Sequence, residues 1–548
     1  MKKEKGILLG RQYDPSGKLW DIGMPAADLQ THLSIAGATG SGKSTLLRNL
    51  VLQMAGLGSS VCVIEPHGDL VDDILDGCDL ARLRQAVVLD LNSEYPPSIP
   101  LMAVGLTTNI DAARDVAMSV LRVADPAGFD AAGQMQAVLR HSVTVLLDVL
   151  RDRANLVSLK RFLSEDEADY RAMILDRCSR EASNSRDYSR NSICPALEKE
   201  RGGGDLKMSI RSAVRRVDIF LDDRRFRRSL ALPTLGPKVD MVELLAGERL
   251  VLVPVRKSEL GEQAFTVFGT LLMWLVARSL MGRTSRADRR MVGIVVDEFA
   301  VMAGSEAGVI VKQLLAEARK YGAAVILAMQ RLAQLAEDVR GEVEGNTLTK
   351  IIMNLPKPED ARAACALLSH PELTPSDIQT IERFHFYVRL TIHKDTLPAC
   401  YLKALSPIDL LEPEAPLPVE APASVSLSKE TRRVLDLADE ALNPDDPRQA
   451  EAVVKRLYEM DEATFQGVVG ETVAFNRYVA LTYLAEPELL PDKMERAREV
   501  SGLLYGLQWW LRDAYYWRLK DEGKVKPERS EPVKREAPPG PSGGENAA

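Results

Sequence analysis

Gly37-Ala38-Thr39-Gly40-Ser41-Gly42-Lys43-Ser44 fits the pattern G-x-x-x-x-G-K-[ST] at every position. Such a loop handles phosphate, because its glycines let the backbone turn until successive N–H groups point inward at phosphate oxygens. Lys43 is expected to reach the β- and γ-phosphates and the Ser44 hydroxyl to ligand Mg²⁺, with Gly37 to Thr45 as the nucleotide-binding stretch. Acids come from a second motif. Val292-Gly293-Ile294-Val295-Val296-Asp297-Glu298 reads as an apolar strand delivering two carboxylates to its C-terminal end, where ligands of parallel α/β sheets bind. Asp297 suits the Mg²⁺ shell, and Glu298 suits polarisation of an attacking water. The pair of motifs implies nucleotide hydrolysis. No N-K-x-D guanine reader is present, so ATP is the expected nucleotide, and no LSGGQ-like stretch points to a transporter ATPase.

These residues need a scaffold. A strand at Leu33–Ala36 feeds the glycine-rich loop, a helix continues from Ser44 to Leu57, and a second apolar strand, Val61–Ile64, ends at Glu65-Pro66-His67-Gly68. Strand, helix and strand in that order predict a parallel α/β unit. Further strands are expected near Leu250–Val255, Val292–Val296, Val325–Ala328, Ile351–Asn354 and Phe386–Ile392, with helices such as Gln263–Met281 and Val311–Lys320 between some of them. Gln330 follows the strand Ala324–Ala328 and can sense a γ-phosphate or position water. Arg319 sits on a helix that could face a neighbouring subunit's nucleotide. The plainer alternatives are a turn residue at Gln330 and a solvated face at Arg319–Lys320.

Around this core the pattern changes. Residues Gly6 to Met24 read as a hairpin about Asp14-Pro15-Ser16-Gly17. From 109 the periodicity turns helical, with Val116, Val120, Val123, Val138, Val145 and Val149 at three-, four- and seven-residue intervals. The domain reading is therefore 1–108 for the hairpin and first part of the core, 109–240 for an all-α insertion, and 241–406 for the second part of the core. A proline-rich linker (407–427), a C-terminal helical module (428–520) and a disordered tail (521–548) follow.

Composition sets outer bounds. The 548 residues are too many for one hydrophobic core, and 46% apolar with 27% charged content is ordinary for a globular chain. Six scattered cysteines carry neither a C-x-x-C pair nor metal-ligand spacing, which fits a reducing cytoplasm. The most apolar segment, Phe265 to Met281, is short for a membrane span and reads as a core helix. A net charge of −8 argues against a nucleic-acid-coated surface but not against a ring that is basic only along its bore. The densest basic stretch, Arg211 to Arg228, is interleaved with Asp218, Asp222 and Asp223, which favours a self-paired helix face over a DNA path. The aromatic residues Trp509, Trp510, Tyr515, Tyr516 and Trp517 suit a bundle core better than base stacking, and His67 reads as a turn histidine.

The combination of Gly37 to Thr45, Ile64-Glu65-Pro66-His67-Gly68-Asp69-Leu70, Val296-Asp297-Glu298-Phe299 and Glu317-Ala318-Arg319-Lys320-Tyr321-Gly322 with Gln330 resembles the FtsK/HerA motor superfamily. Within it, the sequence looks most like conjugative coupling proteins of the TraG/TraD type, over about residues 6 to 405. That likeness implies a RecA-like P-loop core in a homo-hexameric ring that pulls DNA through its centre during plasmid or integrative-element transfer. It implies Gln330 as the sensor and Arg319 as the finger given in trans. It also implies a cytoplasmic protein, with peripheral attachment at the inner face of the membrane as one form. The sequence departs from the family pattern in carrying Glu65 where Asp is common. It shows no N-terminal membrane spans, and its short hairpin leaves no room for the β-barrel of HerA. Two other functions compete: an ATPase energising protein export or assembly without DNA, and a nucleotide-gated adaptor that binds a protein partner through residues 428–520.

Overall fold

Eleven strands form one sheet in the computed structural model, which describes residues 6–13, 18–93, 96–99, 102, 110–123, 125–181, 204–231, 239–283, 289–302, 305–406, 426–441, 456 and 459–505. The strands are β1 (Gly6–Tyr13), β2 (Leu19–Pro25), β3 (Leu33–Ala36), β4 (Ser60–Glu65), β5 (Ala86–Val88), β6 (Leu250–Pro254), β7 (Val292–Val296), β8 (Ala323–Met329), β9 (Thr349–Ile352), β10 (His385–Arg389) and β13 (Cys400–Ala404). A two-residue ribbon, β11 (Thr391–Ile392) with β12 (Asp395–Thr396), connects the last two. The order is β2-β1-β13-β10-β9-β3-β8-β7-β4-β6-β5. From β9 to β5 every pairing is parallel, and from β9 outward to β2 every pairing is antiparallel.

The parallel strands are near-continuous Val, Ile, Leu and Ala because both of their faces are covered. Along β4, Cys62 and Ile64 enter one core while Val61 and Val63 enter the other. The first core receives the helices of the insertion, among them Ile110–Val123, Gly133–Leu150 and Gly204–Leu221, together with helix Glu262–Met281. Val116, Val120, Val138, Val145 and Val149 are all buried, as their spacing requires. Within helix Glu262–Met281 the stretch Ala264–Met281 is apolar enough to cross a membrane, yet 78% of it is buried inside the protein, as in a core helix. The opposite core holds α1 (Lys43–Gly56), helix Asp69–Asp76 and part of the chain's C-terminal region, with Ala480, Leu484, Ala497 and Val500 buried there.

The mixed α/β architecture expected from the sequence is therefore the one observed, and it is broader than the motifs alone indicate. The N-terminal hairpin is part of the main sheet: Gly10 of β1 pairs with Ala404 of β13. Its turn, residues 14–17, lies outside the described residues, as do most of the proline-rich linker, the Trp509–Trp517 cluster and the tail. The described residues form two compact units. One contains residues up to Ser426 with those from Val473 to Tyr505, and the other lies within 427–472. In the smaller unit the Glu471 carboxylate accepts from the Ser428 N–H and the Thr431 hydroxyl, and Val434 and Phe465 are buried.

One strained residue anchors the start of β3. His32 holds φ 64° and ψ 155°, a conformation costly for any side chain. Its Nδ1 accepts the Val325 N–H at 3.2 Å, so the ring must be neutral there. Burial depresses its pKa to about 4, opposed by the nearby Leu315 backbone and assisted by the Arg319 charge. The unfolded chain binds the proton more readily than the native one, so stability from this group is complete above about pH 6.5 and lost as pH falls towards 4. The fall from 6.5 to about 4 corresponds to about 3 kcal/mol. Unfolding free energies measured at pH 7 and pH 5 should fall by more in the parent protein than in His32→Asn. Equal falls in the two proteins would mean that His32 does not carry the effect.

Candidate active site

The phosphate loop hangs from the ends of three adjacent parallel strands. The Gly37 N–H donates to Met329 O at the end of β8 (3.1 Å), and the Ala38 N–H donates to Asn354 O just beyond β9 (2.9 Å). Ser41 N–H closes the loop on Ala38 O (3.1 Å), and α1 begins at Lys43 with Gly42 as its cap. Gly42 holds φ 104°, and a Cβ there would stand 2.7 Å from Cδ1 of Phe384. The Phe384 N–H in turn donates to Ser41 O at 2.8 Å. The glycine is thus required both by backbone conformation and by the ring packed upon it.

Lys43 and Asp297 meet beneath this loop. Their side chains are 8% and 7% exposed, and Nζ lies 3.0 Å from Oδ1. The ammonium is within ion-pair range yet aligned for no hydrogen bond. Ser44 is exposed on the first turn of α1, and nothing stands within 4 Å of a Cβ placed on Gly40. A buried cation with unused donors, an open glycine backbone and the positive end of a 14-residue helix fit a nucleotide's phosphates. The hard oxygen donors of Ser44 and Asp297 fit Mg²⁺.

Glu298 follows Asp297 with φ 46°, its N–H donating to Asp297 Oδ1 at 2.8 Å. Both of its carboxylate oxygens are engaged. Gln330, placed by β8, donates from Nε2 to Oε1, and His67, placed by β4, approaches Oε2 with its Nε2 at 3.1 Å. Burial by itself would raise the Glu298 pKa, but the Gln330 and His67 contacts and the Lys43 charge outweigh it and hold the carboxyl below its ordinary value. The group is therefore a carboxylate at neutral pH, as polarising a water requires.

Glu65 lies at the end of β4, 2% exposed. Its Oε1 accepts the His67 N–H at 2.7 Å and its Oε2 accepts the Gly68 N–H. Burial raises its pKa to about 7, with Asp297 adding to the rise and the two backbone donors opposing it. Beyond this turn, Arg256 packs on Gly68, and buried Asp90 lies 3.5 Å from Arg256 Nε while also pairing with Arg498 of helix Lys493–Tyr505.

The structure thus brings together Lys43, Asp297, Glu298 and Gln330, with Ser44 and Thr45 on the first turn of α1. Arg319 is elsewhere. It is exposed in the short 3₁₀ turn Ala318–Tyr321 at the start of β8, whereas Gln330 follows the end of that strand. Seven strand residues separate the two ends by about 23 Å. His67, read from sequence as a turn histidine, contacts Glu298 across 231 positions of chain. The available signal was its place, two residues beyond the strand that neighbours β7. The arginine stretch pairs mostly outside itself, against the self-paired face expected: Arg225 pairs with its neighbour Asp223 (2.6 Å), but Arg216 pairs with Asp125 (2.9 Å), Arg211 with Glu165 (3.6 Å), and the interleaved Asp218 with Lys160 (2.6 Å).

Two family models match the sequence. One described as "Helicase HerA, central domain" covers residues 9–227, and one described as "Type IV secretion-system coupling protein DNA-binding domain" covers residues 246–381. No curated protein matches the sequence. Among solved structures, the bacterial conjugative coupling protein TrwBdeltaN70 is similar with a TM-score of 0.51 at 16% identity, over 74% of this chain and 89% of that one. Plasmid coupling protein TrwB in complex with the non-hydrolysable GTP analogue GDPNP gives 0.50 at 15% identity, over 72% and 89%. VirB4 of Thermoanaerobacter pseudethanolicus gives 0.49 at 15%, over 74% and 98%. At these identities the likeness to the two TrwB structures establishes the fold alone, which is RecA-like.

Proposed function

We propose that the chain is a P-loop ATPase of the FtsK/HerA type that hydrolyses ATP to move DNA, as a homo-hexameric ring serving conjugative plasmid or integrative-element transfer, a reading supported by the two family-model matches. The observation that carries the hydrolytic part is the ionised Glu298 held beside the Lys43–Asp297 pair at the mouth of the phosphate loop. In this reading the loop N–H groups and Lys43 hold the triphosphate, and Glu298 orients the attacking water and takes its proton. Gln330 fixes Glu298 and registers the γ-phosphate. Ser44 and Asp297 would hold Mg²⁺, which when bound supplies charge neutralisation at the phosphate oxygens.

Support for DNA as the cargo comes from the match of residues 246–381 to a coupling-protein DNA-binding domain. The protein would act in the cytoplasm, at the inner face of the membrane when engaged in transfer. In this reading Arg319 serves a neighbouring copy's nucleotide, which is supported by its exposure at the end of β8 opposite Gln330.

The test is ATP hydrolysis by purified protein without DNA, with linear duplex DNA and with single-stranded DNA, using Lys43→Ala as the blank. Several-fold stimulation by one form of DNA is expected. A flat rate from assembled, active protein would move the assignment to protein export or assembly. In the same assay, Arg319→Ala mixed with Glu298→Gln should recover activity that neither has alone; normal turnover by Arg319→Ala alone would remove the trans assignment.

A further inference from the structure

The order of the sheet places three strand ends side by side, β8, β7 and β4, with Val296 of β7 in register with Leu327 of β8 and with Ile64 of β4. Each of the outer strands sends one side chain to the second residue beyond the central one, Glu298. From β8 comes Gln330, whose amide donates to Glu298 Oε1. From β4 comes His67, whose Nε2 stands 3.1 Å from Glu298 Oε2. Glu298 leaves β7 with a left-handed backbone, φ 46°, so neither the strand nor a helix fixes the direction of its side chain. What fixes it is the pair of contacts.

We propose that His67 is a positioning residue for ATP hydrolysis, holding the Glu298 carboxylate from the β4 side as Gln330 does from the β8 side. The inference rests on the reading of Glu298 as the group that orients water.

The turn that carries His67 is built to hold it still. The Glu65 carboxylate accepts the N–H groups of His67 and Gly68, tying both to the end of β4. Gly68 holds φ 105°, and a Cβ there would stand 2.9 Å from Nη1 of Arg256, so the turn is closed from outside by a side chain. Arg256 is itself anchored: the Val255 N–H donates to Glu65 O and the Lys257 N–H to Pro66 O, each at 2.8 Å. A histidine whose backbone is this constrained delivers its ring to one place. Its side chain is nevertheless 52% exposed, so burial does not explain why an imidazole stands there. The contact with Glu298 does.

A carboxylate turned away from the water's path loses rate rather than nucleotide affinity, and small misplacements cost up to about 10²-fold. Lys43 supplies the nearby positive charge, Gln330 and His67 supply the two side-chain contacts to the Glu298 carboxylate, and substituting His67 alters only one of those contacts. Steady-state ATP hydrolysis by the full chain, with the DNA that stimulates the parent best, should show a fall in kcat of about 10- to 100-fold in His67→Ala with KM changed by less than about 2-fold. His67→Gln, whose Nε2 can take the place of the imidazole Nε2, should recover to within about 3-fold of the parent. Because both act through one group, His67→Ala added to Glu298→Gln should cost no more than Glu298→Gln alone.

Parent-like kcat in His67→Ala, beside a Glu298→Gln protein that is inactive, would overturn the positioning role and leave the reading of Glu298 standing. An active Glu298→Gln protein would instead remove the reading on which the role depends. A loss in His67→Ala that is fully additive with Glu298→Gln, or that His67→Gln does not restore, would assign His67 to the fold of the turn and overturn the proposal.

Discussion

Glu298→Gln should slow ATP turnover by about 10²- to 10⁴-fold while leaving nucleotide binding near that of the parent. The substitution preserves volume and most of the local bonding. The new amide can still accept from Gln330 through its oxygen and turn its NH₂ towards His67, whose neutral ring can offer Nε2 as an acceptor by changing tautomer. What it cannot do is take a proton from water. The Lys43–Asp297 pair and the loop N–H groups are untouched, so the triphosphate should bind as before. Phosphate release gives the rate, and titration with a fluorescent ATP analogue gives the dissociation constant. Turnover within about 3-fold of the parent would move water activation to another group.

Lys43→Ala should abolish hydrolysis and also lower the stability of the nucleotide-free protein by about 3 kcal/mol or more, because it strands a carboxylate. Asp297 is 5% exposed, with Lys43 its cationic partner at 3.0 Å. Breaking a buried pair from one side leaves the full desolvation cost of the remaining ion. Adding Asp297→Asn should therefore restore much of the stability lost in Lys43→Ala while restoring no activity. Denaturant unfolding of the parent, both single variants and the double variant closes the cycle. If Lys43→Ala unfolds at the parent's midpoint, water reaches Asp297 freely and the pair contributes nothing to the fold.

The residues legible in the sequence were those whose neighbours in space are also neighbours in the chain. Gly37 to Ser44 is one contiguous turn, and Asp297 and Glu298 end an apolar strand too regular to misread. Gln330 was visible for the same reason, as the residue just beyond β8. The sheet's margins were not legible. β5 is three residues long, too short for any periodicity, and β13 alternates a partly polar sequence that only its pairing with β10 and β1 explains. His67 escaped because its partner is supplied by strand order, which local pattern does not encode. Asp90, Arg256 and Arg498 form one ionic group from three distant segments, and each alone reads as surface charge. In the arginine stretch only the Arg225–Asp223 pair is local and was legible; Arg216 and Arg211 take their acids from Asp125 and Glu165, which local pattern does not encode.

The place of β4 in the sheet has a consequence for biosynthesis. Its six buried residues lie between β6 and β7, which the ribosome makes only after the whole helical insertion. After the emergence of Glu65 both hydrogen-bonding edges of an apolar strand wait until β6 is made at Pro254, and the edge that takes β7 waits until Val296. At about 5–20 residues per second that interval is roughly 10–50 s. An open apolar edge over such a time is a template for pairing with another nascent chain. The insertion's helices, rich in contacts close in sequence, can form during the wait, whereas the sheet that binds the nucleotide cannot close until β6 and β7 arrive. Misassembly of this protein is thus expected to be a hazard of the interrupted sheet rather than of the motifs it carries.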